Sequence, residues 1–256
     1  MKCNIVILTQ SPLSKAPRVV KEANALVKQG YAISIFSIWY SDAVVQLDRS
    51  LISNKINYLP GVDLRNKNSF RVFYLRSINK ISRYLVRFLK LQTRHALGYG
   101  YKTYLKRLVK ENADLYIGHE EMSLPLIIDL KKKNKKAVFD FEDFHSEDLL
   151  PKDRRYRPIS LLESYEKEVL FKADLTYTTS KEMANAFTLK YKCNIKNIFF
   201  KEVDERNTSK CCSSCGNLDH DLKASQVYNC NKCGLKIGRD INAAKNIYMK
   251  GLLLTK

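Results

Sequence analysis

The stretch "CNIVILTQSPLSKAPRVVKEANALVKQGYAISIFSIW", residues 3–39, sets the architecture. "CNIVILT" is apolar and rich in β-branched residues, as a buried strand requires, and "QSPLSKAP" reads as the loop that follows it. In "RVVKEANALVKQG" the apolar positions Val19, Val20, Ala23, Leu26 and Val27 recur at helical spacing, and Gly30 marks the stop. "YAISIFSIW" supplies a second strand. A strand, a helix and a strand in this order predict a βαβ unit and hence a parallel sheet.

The same rhythm returns further along. "ADLYIGH" (113–119), "KAVFDFED" (136–143) and "DLTYTTS" (174–180) read as short buried strands. The helical patterns "SLPLIIDLKKKNK", "ISLLESYEKEVLFKA" and "KEMANAFTLKY" alternate with them. The alternation runs to about residue 195 and predicts an open, doubly wound α/β domain. Beyond it the sequence breaks into short, cysteine-bearing pieces. A boundary near Ile198 to Lys201 follows, giving one domain over 1–198 and a second over 201–256.

Charge narrows the range of partners. With 45 Lys and Arg against 26 Asp and Glu, the chain carries a formal +19, which favours polyanions: nucleic acid, an anionic membrane face or phosphorylated molecules. From residue 64 to 110 there is no acid at all, and basic residues alternate with Phe73, Tyr74, Tyr84, Phe88, Tyr99, Tyr101 and Tyr104. Three readings of that segment stand side by side. It is a basic helix whose aromatics pack into a core, a surface for anionic lipid, or a track for a phosphate backbone. No apolar run reaches the ~18 residues needed to cross a bilayer, and "MKCNIVILTQ" is too short for an export signal. A soluble, cytoplasmic protein is the expectation.

Five of the seven cysteines, Cys211, Cys212, Cys215, Cys230 and Cys233, crowd the last fifth of the chain. Cys212-x-x-Cys215 and Cys230-x-x-Cys233 are two knuckles, each followed by a glycine and separated by fourteen residues. Two residues between cysteines let a tight turn aim both sulfurs at one ion, so the pattern predicts a four-thiolate structural Zn2+ site in a zinc ribbon. Metal-free thiols are the competing reading, and it suffers from how little apolar material the segment offers for folding. Cys211 is spare; its x-x-x spacing to Cys215 is the less regular pairing.

The stretches "TSKCCSSCG", "YNCNKCG" and "GRDINAAKNI" together resemble the C-terminal zinc ribbon of the transposon-encoded TnpB (OrfB) nucleases, over residues 201–252. The resemblance implies DNA or other nucleic-acid binding, weak and salt-dependent, through Lys210, Lys223, Lys232, Lys236, Arg239 and Lys245. It also matches Asp240 to the last of three nuclease carboxylates. The other two have no counterpart here, so nuclease activity is not expected, and the N-cap of the following helix is the better reading of Asp240.

Residues 1–198 resemble the N-terminal, acceptor-holding domain of a GT-B glycosyltransferase of the group 1/group 4 kind. The resemblance rests on "APRVVKEANALVKQGYAISIFS", "ADLYIGHEEMSLPLIIDLKKKNKKAVFDFEDF" and "LLESYEKEVLFKADLTYTTSKEMANAFTLKY". It implies half of a GT-B fold, a Rossmann-like parallel sheet, followed by the small ribbon. His119 matches an acceptor-side histidine, or is simply a satisfied histidine at a strand end. The nucleotide-sugar half of such an enzyme has no counterpart, so the isolated chain is not expected to be a competent transferase. Two functions are thus in play: a zinc-binding fusion whose ribbon binds nucleic acid, and an acceptor-binding half that transfers sugar only with a partner domain.

Overall fold

Continuous apolar runs in strands call for cover on both faces, and the sheet has it. The computed structural model describes residues 3–193, 198–199, 206–222 and 225–253. The chain divides into two units, Met1–Phe200 and Lys201–Lys256. Lys201 and Lys223 lie outside the described residues.

In the first unit the elements are β1 (Asn4–Leu8), α1 (Pro17–Lys28), β2 (Ala32–Trp39), α2 (Asp42–Leu51), β3 (Asn57–Asp63) and α3 (Phe70–Leu89). They continue with α4 (Tyr101–Glu111), β4 (Leu115–His119), α5 (Ser123–Lys132), β5 (Ala137–Phe141), α6 (Pro151–Arg154) and α7 (Ile159–Lys172). The unit ends with β6 (Leu175–Thr178), α8 (Lys181–Tyr191) and β7 (Ile198–Phe199). Seven strands form a parallel sheet in the order β3-β2-β1-β4-β5-β6-β7. The order reverses between β1 and β4, as in Rossmann-like folds.

Alternate residues of each strand feed two cores. Ile5 and Ile7 pack with Val19, Ala23 and Val45 of α1 and α2. Val6 and Leu8 pack on the opposite face with residues of α4, α5, α7 and α8. Fully burying one such side chain contributes about 1.5–3 kcal/mol. The α1 stop works as the sequence implies: Gly30, at φ +90°, donates to Val27 O, and Tyr31 N donates to Leu26 O. These two bonds close a Schellman cap.

The segment 64–110 divides its aromatics between its two helices. Tyr101 and Tyr104 of α4 are buried, so the core-packing reading holds for α4. Phe70, Phe73, Tyr74, Tyr84 and Phe88 of α3 stay exposed, so it does not hold there. No helix among the described residues is long and apolar enough to cross a membrane.

Strand β3 is an edge strand containing Pro60, a residue whose missing N–H a sheet tolerates only at an edge or bulge. Its register against β2 jumps from Ser37–Pro60 to Ile38–Val62, leaving Gly61 as the bulged residue. A Cβ on Gly61 would sit 2.3 Å from the Tyr104 ring. The Tyr104 hydroxyl in turn donates to Phe36 O at 2.7 Å and Thr9 O at 2.9 Å, joining the ends of β2 and β1.

At the reversal point Glu120 follows β4 in a left-handed conformation, φ +61°. Its Oε2 accepts from Thr9 Oγ1 at 2.5 Å and from the amides of Gln10 at 2.7 Å and Ser11 at 2.8 Å. The loop after β1 therefore wraps its backbone amides around a carboxylate of the same chain.

In the second unit β8 (Val227–Asn229) and β9 (Lys236–Gly238) form an antiparallel hairpin, and α9 (Arg239–Leu253) follows.

Candidate metal centre and a buried charged cluster

The two knuckles repeat one hydrogen-bond pattern. Cys212 N donates to Asn217 O and Gly216 N to Cys212 O, at 2.8 and 2.9 Å. Cys230 N donates to Leu235 O and Gly234 N to Cys230 O, at 2.8 and 3.0 Å. Gly216 and Gly234 share φ +73°, a conformation in which a side chain is strained. The second knuckle is the loop of the β8–β9 hairpin. The first is closed by a bridge between Cys211 and Leu218.

These turns bring together the sulfurs of Cys212, Cys215, Cys230 and Cys233, all within 4.8 Å of one another. Cys212 to Cys233 and Cys215 to Cys230 are each 3.6 Å. A disulfide would need about 2.05 Å. Four thiolates around one ion at about 2.3 Å would stand about 3.8 Å apart at each tetrahedral edge. The donor set therefore fits one tetrahedral metal ion. Cys211 is not in the group; its sulfur lies 3.5 Å from Gly216 O. Tyr228 is buried against Cys212 and Cys230, with Leu222, Leu235 and Ile237 around it.

Helix α9 braces the first knuckle. Asn242 accepts from the Ser213 amide at 2.9 Å, and its Nδ2 donates to Cys211 O at 2.6 Å. Asn246, one turn on, donates to the same Cys211 O at 2.6 Å and to Thr208 O at 2.7 Å. Both side chains are buried. Cysteine spacing gives no hint of them. The legible signal is two asparagines four residues apart on one helix face, where asparagine is a poor helix former and a buried amide needs partners.

Of the basic residues read from the sequence, Lys232, Lys236 and Lys245 are exposed, while Lys210 and Arg239 are half-buried. Asp240 lies inside the first turn of α9 rather than ahead of it, so it is not the N-cap that the sequence offers as one reading. It is 95% exposed and near Arg239, and a carboxylate there suits the positive end of the helix dipole. Among the described residues it joins no group of acids that could hold a metal.

His119 ends β4, fully buried among carboxylates. Its Nε2 is 2.8 Å from Glu22 Oε2, and its Nδ1 is 3.1 Å from Glu142 Oε1 and 3.5 Å from Asp140 Oδ2. Arg18 Nε lies 2.5 Å from Asp140, and the Tyr177 hydroxyl donates to Glu22 at 2.8 Å. Burial lowers the His119 pKa, but the hydrogen bonds it donates to Glu142 and Glu22 and the nearby charges outweigh it and push it up to about 9. Burial also pushes Asp140 up to about 6, against the pull of His119 and Arg18. His119, Asp140 and Glu142 lie close enough to hold a metal, but Arg18 and a protonated His119 already supply the positive charge. The cluster ties α1 to β4, β5 and β6.

Comparison with known proteins finds likenesses of two kinds. Residues 186–247 match the family model described as "Cas12f1-like, TNB domain". TnpB-like protein L79 of Acanthamoeba polyphaga mimivirus is 52% identical over 50 residues, 20% of this chain and 9% of that protein. The chain thus spans about a tenth of the length of the curated relatives it matches first. Among solved structures, an UDP-N-acetylglucosamine 2-epimerase described as putative, from Listeria monocytogenes, aligns at TM-score 0.45 and 13% identity, covering 82% of this chain and 47% of that one. A UDP-glucosyltransferase from Polygonum tinctorium aligns at TM-score 0.46 and 11% identity, covering 75% and 49%. A sheet unit of Rossmann-like strand order and a C-terminal segment similar to the TNB domain and to TnpB-like proteins thus stand in one chain.

Proposed function

We propose that the C-terminal unit is a zinc ribbon that binds nucleic acid, carried on a sheet unit that does not itself supply a nuclease or transferase centre. The observation that carries this reading is the four-sulfur cluster, whose 3.6 Å contacts suit tetrahedral Zn2+. Cys212, Cys215, Cys230 and Cys233 would hold the ion, and it would cross-link the two knuckles with no position left for water. Around this frame Lys210, Lys232, Lys236, Arg239 and Lys245 provide phosphate contacts, which are sequence-independent and strongly salt-dependent. The TNB match supports DNA as the nucleic acid, as does a relative from Sulfoacidibacillus thermotolerans, 38% identical over 58 residues, that is named CRISPR-associated endodeoxyribonuclease Cas12f1. Cleavage lies outside this reading, since two-metal phosphodiester chemistry needs several carboxylates and Asp240 belongs to no group of three or more possible ligands among the described residues.

Fluorescence anisotropy with duplex and single-stranded DNA at low and moderate salt tests the reading. Intact chain should bind, weakening steeply as salt rises. Cys230→Ser and a Lys232→Ala/Lys236→Ala double variant should lose most of that binding. Equal binding by all three proteins overturns it.

A second reading concerns the sheet unit alone, as the acceptor-binding half of a nucleotide-sugar-dependent glycosyltransferase. The buried His119 at the carboxyl end of β4 favours it, because that edge of an α/β sheet is where ligands bind. The chain would then need a separate donor-binding domain, and measurable transfer by the purified chain alone would refute that dependence.

A further inference from the structure

The carboxyl ends of β1 to β4 border a cleft that neither reading above uses. Its outer part, about 510 Å³, is walled by Arg76, Lys80 and Arg83 of α3 and faced by Tyr40, Tyr99 and Tyr156, with Tyr84 at its side. Its inner part, about 190 Å³, shares Tyr40, Asn79, Arg83 and Tyr99 and reaches Gln10 and Arg157. Asn79 fixes the α3 wall by donating to His95 O at 2.7 Å.

The charge in this cleft is one-sided. No acid lines the outer part. Glu121, which lines the inner part, pairs with Arg157, and nearby Glu120 is held by its three donors. Among the described residues no carboxylate pairs with Arg76, Lys80 or Arg83. Cations gathered in a concave surface without counter-charge create a strong local positive potential. At the inner end, the buried Gln10 Oε1 and Arg157 Nε have no hydrogen-bond partner, the signature of polar atoms that await one. Burial and the neighbouring Arg83 guanidinium hold the Arg157 pKa below its usual range, a crowding of like charge that an anion would relieve.

We propose that this cleft binds a phosphate ester joined to a ring, such as a sugar phosphate or a nucleotide. Arginine guanidinium groups match phosphate oxygens two at a time, and Lys80 adds a point charge. Tyrosine faces and hydroxyls suit the ring, and the volume is that of an ordinary small-ligand site. The ligand is either free in solution or the headgroup of a lipid, since the exposed Phe70, Phe73 and Phe88 lie on the same helix as the cations. The proposal deepens the acceptor-binding reading of the sheet unit by naming the chemistry of a ligand at the same edge, but it requires only binding and is not touched by a failure to transfer sugar.

Isothermal titration of the full chain with uridine diphosphate, glucose 1-phosphate, inorganic pyrophosphate and methyl glucoside tests it. Uridine diphosphate or glucose 1-phosphate should bind saturably and at least about tenfold tighter than methyl glucoside. Arg83→Ala and Lys80→Ala should each weaken phosphate-ester binding by about tenfold, with thermal melting unchanged because both side chains are unpaired. Tyr156→Ala should weaken the ring-bearing ligands and leave pyrophosphate alone. Co-sedimentation with phosphatidylcholine vesicles, with and without phosphatidylinositol phosphate, separates the sources: Arg83-dependent binding only to the latter vesicles identifies a headgroup. Two results overturn the proposal. One is no Arg83-dependent binding to any phosphorylated probe or vesicle. The other is loss of the small-ligand signal to a DNA oligonucleotide that binds more tightly and equally well to Arg83→Ala.

Discussion

Asn242 and Asn246 donate from successive turns of α9 to one acceptor, the carbonyl of Cys211, each at 2.6 Å. One backbone oxygen thus fixes the helix beside the first knuckle, and the residue next to it, Cys212, is a member of the four-sulfur group. The helix acts on the metal centre without offering it a ligand.

Asn242→Ala should therefore lower metal affinity although no sulfur is changed. Removing such an outer support typically costs about tenfold to a hundredfold in affinity. Competition with a chromophoric chelator measures it, and Asn246→Ala should behave alike but more mildly, because Asn242 also holds the Ser213 amide. Unchanged affinity in both would mean the knuckle is shaped without α9.

Cys230→Ser should strip the ion and unfold the second unit while sparing the first. Among the described residues the second unit's buried apolar cluster is Cys212, Tyr228 and Cys230 with three partly buried neighbours, too little to offset the chain entropy without a cross-link. Hydrogen exchange mass spectrometry reads both units at once. Peptides of β8, β9 and α9 should lose protection, and those of β1, β4 and β5 should keep it.

Alkaline pH should weaken the first unit through His119. Its folded pKa, about 9, stands above the ordinary 6.5, so its contribution is complete below pH 6.5 and is lost as pH rises through 9. At about 1.4 kcal/mol per unit the loss is on the order of 3 kcal/mol. Asp140, also raised, has its loss at lower pH, as it ionises up to about 6, so the two windows separate. Urea midpoints from pH 6 to 10 should fall in the native chain and stay level in His119→Gln, which should start lower because Arg18 alone faces three carboxylates.

Gly61→Ala should cost about 1–3 kcal/mol, the usual penalty for an added methyl in a packed site. Its Cβ would meet the Tyr104 ring at 2.3 Å, and that ring is held by two backbone carbonyls. Thermal denaturation gives the answer, and an unchanged melting temperature would show that the ring can step aside.

What the sequence reveals follows from how locally each feature is encoded. β1, α1 and β2 are legible because burial on both faces and helical spacing leave unbroken patterns in a few residues. β3 is not, since Pro60 and Gly61 break the strand signal, and only an edge position with a bulge makes room for them. The four cysteines are legible because a knuckle is a local turn. The carboxylates around His119 are not, because Glu22 comes from α1 while Asp140 and Glu142 come from the end of β5, and the two segments meet at His119 only when α1 docks on the sheet. The cleft on α3 is half legible: a segment without acids announces its charge, but not that Arg76, Lys80 and Arg83 line one wall.

Glu120 is the occupant of its own anion cradle. A cradle of backbone amides usually acquires its anion from the surrounding fluid, so its order rises and falls with metabolite supply. Here the anion is covalently part of the chain and its local concentration never varies. The loop after β1 is thus set at the moment of folding, indifferent to what the solution contains, and any response of this unit to a diffusing molecule must arise elsewhere along the same edge.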